Sequence, residues 1–525
     1  MQRSPNSISN NIEGNCGEEN IASFWKNHYE KIFNYGFDKH GVQISIEPYD
    51  VEISEQEILT YICQLKAGKS PGPDKVSAEH LTFSCSAVIP MLAKVFSAIM
   101  VHGEVPQLMT DLELVPIPKD SKGKLNEKGN YRPISLASCF SKLFEMCILK
   151  RISQFIGTAV NQFGYKAELG TDSCIYTLKE IIHNNLENNT NTYIGFLDAS
   201  KAFDRVHHDL LFSKLKAKGT PGVIIRILQD WYSNQSMRVR WGGSISGTFH
   251  SANGVKQGGI LSPHLFNFYM DELSEKLNKL HVGCWIGDQK VNHLSYADDL
   301  IVVSPSQSGL QKLLDECSVY SEGNYIEFNT KKSNVMLIKS ENFNDLELKD
   351  CLLNGAVLGG KKSIKYLGHI LTNDASDDDD IMRHLKYLYA IGNTLIRKFF
   401  FCSRFIKLKL FRTYCMNIYT GHLWVNYKPV TMKKLNTAYN SILRRLLGIP
   451  RFQEMDSVRV SYSASNMFAT NNVLCLGALL RKGIYNFQVR LSKSPNLLLG
   501  CLSGRQRIGS PIWKNWEKRL RPPHS

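Results

Sequence analysis

Apolar and polar positions alternate along this chain in short bursts, the sharpest of them near the middle: Leu294-Ser295-Tyr296-Ala297-Asp298-Asp299-Leu300-Ile301-Val302-Val303. Two β-prone arms flank two adjacent acids, which predicts a hairpin carrying both carboxylates at its tip. A buried strand of six residues, Thr192 to Leu197, delivers Asp198 at its C-terminal end, where the chain turns toward a helix from about Asp209 to Lys218. Leu112 to Lys119 reads as an edge-type strand, and Ile364 to Ile370 as a further hairpin strand. Spacing of three and four predicts helices over Ile21 to Phe33, 141 to 156, His264 to Leu277, Ser308 to Gly323 and Ile381 to Phe400. Ser54-Glu55-Gln56-Glu57 reads as a capping box that starts another helix, carrying Ile58, Leu59, Ile62 and Leu65 and stopping at Gly68.

Composition narrows the picture. A chain of 525 residues can bury more than one core, so two or three subdomains are expected. Its 43% hydrophobic and 21% charged residues are those of an ordinary globular protein. The 13 cysteines form no C-x-x-C pair and no Cys/His knuckle, which points away from a disulfide framework and from zinc fingers and toward reduced thiols in an intracellular compartment. The opening Met1-Gln2-Arg3-Ser4-Pro5 lacks an apolar signal core, and the apolar run Cys85 to Val101 is interrupted by Pro90 and Lys94, so neither secretion nor a membrane span is expected. The net charge of +15 is unevenly placed: residues 381 to 525 hold 25 Lys and Arg against 3 acids, and residues 1 to 380 hold 38 against 45. Such segregation predicts a polyanion partner along the last third, most simply a nucleic acid backbone.

The candidate chemistry follows from the acids. Neighbouring carboxylates repel unless a cation sits between them, so the Asp298-Asp299 tip suits a hard divalent metal held by oxygen. Asp198 beside Asp298 would complete a two-metal cage for phosphoryl transfer, with ions ~4 Å apart. A nucleotidyl-transfer centre must also grip a triphosphate, which Lys119 as a point charge and Arg132 as a forked donor could do. Phe203 could press on the sugar's 2′ position and select deoxynucleotides. Gln257, in the glycine-rich Gly254-Val255-Lys256-Gln257-Gly258-Gly259, adds an amide able to bond a base or sugar. The basic pair Lys331-Lys332 could protonate departing pyrophosphate. The run Asp377 to Asp380 precedes a helical pattern and reads as complementing the helix dipole.

Taken jointly, Ser70-Pro71-Gly72-Pro73-Asp74, Pro116-Ile117-Pro118-Lys119, Tyr131-Arg132-Pro133-Ile134-Ser135-Leu136, Phe196-Leu197-Asp198 with Ala202-Phe203-Asp204, Gly254-Val255-Lys256-Gln257-Gly258, Tyr296-Ala297-Asp298-Asp299 and Tyr366-Leu367-Gly368 resemble the reverse transcriptase of non-LTR (long interspersed) retrotransposons. The resemblance covers about residues 20 to 500. It implies an α+β fold, a right-hand polymerase whose palm is an antiparallel sheet plus helices: 1–50 as an N-terminal linker and helix, 51–190 as fingers and the first part of the palm, 191–375 as the palm with its catalytic carboxylates, 376–525 as a basic helical thumb and C-terminal extension. By it, Asp198, Asp298 and Asp299 are catalytic and metal-binding, with Asp198 and Asp298 the main ligands of two Mg²⁺ ions, for which Mn²⁺ can substitute. Lys119, Arg132, Phe203, Gln257 and Lys332 are nucleotide-binding, and Lys332 assists pyrophosphate departure.

The implied partners are an RNA template, a DNA primer or target and deoxynucleoside triphosphates, met in the cytoplasm and nucleus and not at a membrane. Lys256 stands where the family often has proline, Gly259 where it often has serine, and Lys166 where arginine is usual. No apurinic-type endonuclease precedes Ser54, so that activity is expected from a missing upstream region or another chain. A group II intron maturase-like enzyme would need an intron-binding domain after the thumb. An RNA-dependent RNA polymerase is opposed by Phe203, and a non-catalytic nucleic-acid-binding remnant by the survival of all three carboxylates.

Overall fold

The computed structural model describes residues 9–35, 42–44, 52–343, 347–455, 458–505 and 509–521. Of the predicted N-terminal segment 1–50, residues 1–8, 36–41 and 45–50 lie outside the described residues. In chain order its elements include α1 Glu18–Phe33, α2 Glu55–Gln64, β1 Asp111–Pro118, β2 Tyr131–Leu136, α3 Cys139–Ile152, α4 Thr171–Glu187, β3 Thr192–Asp198, α5 His208–Ala217, β4 Ser236–Trp241 and α6 Ser262–Lys279. There follow β5 His293–Tyr296, β6 Asp299–Ser304, α7 Gln307–Gly323, β7 Asn334–Ile338, β8 Ser363–Tyr366, β9 His369–Thr372, α8 Asp378–Lys398, α9 Arg404–Tyr414 and α10 Pro429–Leu447. The class is α+β, as the resemblance implies. Among the described residues no helix is long and apolar enough to cross a membrane.

The chain divides into two compact units. The first comprises Met1–Ala159, Ala199–Lys276 and Cys317–Phe328. Its sheet runs β2-β1-β4, with β1 antiparallel to β2 and parallel to β4. β1 is thus not an edge strand in its first half. Pro116 and Pro118 lie past the point where β4 stops pairing at Leu114, so on that side neither is asked for a ladder donor. α1 covers this sheet through Trp25, Tyr29 and Phe33, and the Trp25 ring lies 5.1 Å from that of Tyr131. The capping box is half made. The Glu57 amide donates to Ser54 Oγ at 3.2 Å, but the buried Glu57 carboxylate faces Lys150 and Arg151 of α3 instead of returning to the cap.

The second unit comprises Val160–Asp198, Leu277–Glu316 and Asn329–Ser525. Its sheet has the order β5-β6-β3-β7, with a short strand, Gly359–Gly360, parallel to β7. β3, buried from Thr192 to Leu197, is central, with β6 on one side and β7 on the other, both antiparallel. Gly195 in β3 is required by packing: a Cβ there would stand 2.9 Å from Val302 and 3.4 Å from Leu314 of α7. The hairpin β8–β9 turns at Leu367 and Gly368, both at positive φ (45° and 85°), as a two-residue hairpin loop demands.

Beyond it, α8, α9 and α10 enclose a separate core around Leu388, Leu395, Phe411, Tyr439 and Leu443. The acidic run does more than complement a dipole. Asp377 and Asp380 are buried: Asp377 accepts from Lys179 Nζ (2.5 Å) and the amides of Val425 and Asn426, and Asp380 from the Ile370 amide, Trp424 Nε1 and Arg383. These two carboxylates bind α8 to α4, β9 and the segment before α10.

Candidate active site

The three acids meet at one end of the second unit's sheet. In the antiparallel register of β6 and β3, Asp299 is the direct partner of Asp198. Directly opposed residues share a face, with Cα atoms about 5 Å apart. Tyr296 pairs with Asp299 across the β5–β6 hairpin, which leaves Ala297 and Asp298 as its two loop residues, Ala297 at φ 57°. Asp298 and Asp299 are exposed and Asp198 is half-buried. Crowding by surrounding protein atoms, then the charges of Asp298 and Asp198, push the Asp299 carboxyl up to about 6. Like charges gathered this closely form a place where a cation is stabilising. Among the described residues no three Asp, Glu, His or Cys side chains stand as a preformed metal cage. The acids share a surface without converging on one point, as mutual repulsion requires, and three carboxylates are a donor set that fits a hard divalent ion.

Each acid is held by the backbone around it. The Asp198 amide donates to Ser333 Oγ at 3.1 Å, its carbonyl accepts from the Asn329 amide at 2.8 Å, and Lys332 Nζ stands 3.8 Å from Asp198 Oδ2. Lys332, predicted as the pyrophosphate's proton donor, is therefore beside the acids. The hairpin tip is braced by a segment that the sequence showed only as a loop. Gln162 is buried, and its side-chain oxygen accepts both the Gly164 amide (2.8 Å) and the Ala297 amide (3.0 Å). The Phe163 amide bonds the Ser295 carbonyl and the Ser295 amide that of Asn161, so the segment lies against β5 like an added strand. Gly164 must be glycine, since a Cβ would come 2.5 Å from the Ala297 nitrogen. The signal in the sequence was the polar pair Asn161-Gln162 before a glycine, which alone does not say what it touches.

The other predicted residues belong to the first unit. Arg132 on β2 pairs with Ile117, and Lys119 follows the end of β1, so both exposed cations rise from one two-stranded corner. Lys119 Nζ donates to the Gly129 carbonyl at 3.1 Å. The Phe203 ring stacks on Phe266 with centroids 4.6 Å apart, and the Phe203 carbonyl accepts the Val255 amide. Gln257 is doubly fixed: its carbonyl accepts from the Ser135 amide of β2, and its Nε2 donates to Asp204 Oδ1 at 2.7 Å. Asp204 is a residue whose role the sequence did not reveal. Burial pushes its carboxyl up to about 6, against the opposing pull of Gln257, Lys201, Lys119 and Arg205. Lys256, where the family often has proline, is buried against Glu145 (3.3 Å) with its ammonium 4.2 Å from the Trp231 ring centre, and Glu145 also accepts the amides of Ile260 and Leu261. The substitution is built into the loop's support.

Residues 117–371 match the reverse transcriptase (RNA-dependent DNA polymerase) family. This segment is a reverse transcriptase domain. The match includes all eight predicted site residues and agrees with the resemblance to non-LTR elements read from the motifs. The chain is 30% identical over 275 residues to the Pol polyprotein of the type-2 retrotransposable element R2DM of Drosophila melanogaster, covering 52% of this chain and 25% of that protein. It is 23% identical over 547 residues to the RNA-directed DNA polymerase from the mobile element jockey of Drosophila funebris, covering 97% of this chain and 57% of that protein. The chain thus spans a quarter to somewhat over half the length of these relatives. Among solved structures, apo telomerase from Candida tropicalis superposes with a TM-score of 0.40 at 14% identity, over 83% of this chain and 72% of that one. Within this domain the second unit carries Asp198 and Asp299 on paired strands, Asp298 on the adjoining loop and Lys332 beside Asp198, and the first unit carries Lys119, Arg132, Phe203 and Gln257.

Proposed function

We propose that this chain is the reverse transcriptase part of a non-LTR retrotransposon protein, an RNA-directed DNA polymerase that extends a DNA primer on an RNA template with deoxynucleoside triphosphates. The observation that carries the reading is the cross-strand pairing of Asp198 with Asp299, with Asp298 at the adjoining tip, inside the segment that matches the family. Asp198 and Asp298, with Asp299 less directly, would hold two Mg²⁺ ions. Bound there, the metal lowers the pKa of the primer 3′-hydroxyl and stabilises charge on the departing oxygen.

The primer's 3′ oxygen attacks the α-phosphorus of the incoming nucleotide, a new phosphodiester forms, the bond between the α- and β-phosphates breaks, and pyrophosphate leaves. Lys119 and Arg132 bind the triphosphate, Phe203 closes on the sugar's 2′ face, Gln257 orients the nascent pair, and the Lys332 ammonium gives its proton to the pyrophosphate oxygen. The target-nicking endonuclease comes from another segment or chain, and the protein works in the cytoplasm and nucleus. Asp198→Asn and Asp298→Asn each lower primer extension by about three orders of magnitude while oligonucleotide binding persists. Extension at the wild-type rate by either variant, or binding without extension by the wild-type chain, overturns the proposal.

A further inference from the structure

The turn between α8 and α9 does what a soluble protein ordinarily avoids: it puts three phenylalanine rings into water. Phe401 is 96%, Phe405 71% and Phe400 64% exposed. The turn itself is well defined. α8 ends at Lys398, the Cys402 amide returns to the Phe399 carbonyl at 3.1 Å, and Ser403 caps α9. Phe399 and, further on, Leu408 and Leu410 pack against the core of this region, so the apolar face of α9 is already used and the exposed rings are surplus to folding. The rings are arranged as a surface, with Phe400 and Phe401 edge to face at 5.3 Å and Lys407 Nζ 5.4 Å from the Phe400 ring centre. Exposed Arg397 and Lys398 precede the rings. From Ile381 to Gln453 the chain has 14 Lys and Arg and no acid.

We infer that this turn is a stacking platform for unpaired bases of a single-stranded RNA, whose phosphates run along the cationic helices beside it. Flat π-faces next to cations, with no acid for 73 residues, suit a polyanion that offers rings of its own. A lipid surface would call for a broad free aliphatic helix face, whereas on α9 Leu408 and Leu410 pack against the core and Ile406, 39% exposed, is what remains. Assigning the strand to RNA rests on the reverse-transcription reading, in which the template is the partner that arrives unpaired.

The test measures equilibrium binding of fluorescent single-stranded RNA, single-stranded DNA and a blunt RNA–DNA duplex to the full chain, without nucleotides, so that no turnover is needed. Phe401→Ala/Phe405→Ala weakens RNA binding ~10-fold, as expected for losing base stacking. The slope of log Kd against log salt stays unchanged because the phosphate contacts remain. Phe401→Trp/Phe405→Trp restores the affinity, and blunt duplex binding does not change. Wild-type RNA affinity in the alanine variant, an equal loss on blunt duplex, a loss confined to single-stranded DNA, or a change only in self-association each overturns the inference. Because Asp298→Asn blocks extension without touching these rings, the two proposals fail separately.

Discussion

The side-chain oxygen of Gln162 accepts the amide of Ala297 at 3.0 Å, and so a buried residue far back in the chain sets the position of the loop that carries Asp298. Gln162→Leu keeps most of the volume and removes the acceptor, leaving the Gly164 and Ala297 amides unpaired at a cost of about 1–3 kcal/mol. Because displacement of a catalytic group by a fraction of an ångström is felt in rate, kcat for primer extension falls roughly 10- to 100-fold while the Kd for primer–template stays at its wild-type value. Gln162→Glu, which keeps an acceptor, retains more activity than the leucine variant. Parallel extension and binding assays check this, and equal losses in the two variants would remove the brace.

Asp204 and Gln257 are joined at 2.7 Å beside the Phe203 turn, and the Asp204 carboxyl, buried, is pushed up to about 6. A raised carboxyl pKa means that the folded state binds the proton more tightly than the unfolded chain. Asp204 therefore favours folding most at low pH, its contribution declines as pH rises between about 4 and 6, and it is flat above that, with a total effect of roughly 3 kcal/mol. Asp204→Asn removes this segment of the stability curve. Urea unfolding of both proteins from pH 4 to 7 measures the difference, which should change only within that window.

Phe203 lies flat on Phe266 at 4.6 Å, so its replacement disturbs packing as well as any sugar contact. The ratio of kcat/KM for ribonucleotides to that for deoxynucleotides is immune to loss of folded protein. Phe203→Val raises it by about tenfold or more, because removing a bulky ring relieves the clash with a 2′-hydroxyl. An unchanged ratio would confine Phe203 to packing.

Lys179 and Asp377 form a buried pair at 2.5 Å, and the lysine also donates to the Leu423 carbonyl. Although burial opposes it, Lys179 and the neighbouring His369 hold the Asp377 carboxyl down to about 2. Its stabilising effect is thus present above about pH 4 and lost as pH falls toward 2. Lys179→Met leaves that carboxylate uncompensated and costs about 3–5 kcal/mol. A calorimetric melt of the variant at neutral pH should show a clear drop in Tm, and replacing both partners by apolar residues should recover much of it.

Much of the candidate site is legible in the sequence. The strand ending at Asp198 and the hairpin around Asp298-Asp299 announce themselves because apolar alternation and paired acids are local signals, and both lie where those signals put them. Helix limits moved by a few residues: the pattern from about Asp209 to Lys218 is α5 His208–Ala217, and that from His264 begins at Ser262. The edge reading of Leu112 to Lys119 holds only past Leu114, because β4 pairs with the first half of the strand and a partner distant in the chain leaves no local signal. Gln162, Asp204 and Glu145 escaped notice because a buried polar side chain is defined by its partner, and each partner lies elsewhere in the chain. The acidic run that caps and opens α8 was legible as a helix start, but not as two buried anchors.

By itself the sequence determined the strand that ends at Asp198, the hairpin that carries Asp298 and Asp299, the helices with clear three-and-four spacing, and that the last third is cationic, since these depend on neighbours along the chain; α4, β4 and β7 gave no such local signal. Only the tertiary structure decided that Asp198 faces Asp299, that Gln162 holds the tip, and that Phe400, Phe401 and Phe405 are left in water. Those relations join residues distant in sequence, and only packing selects which of them touch.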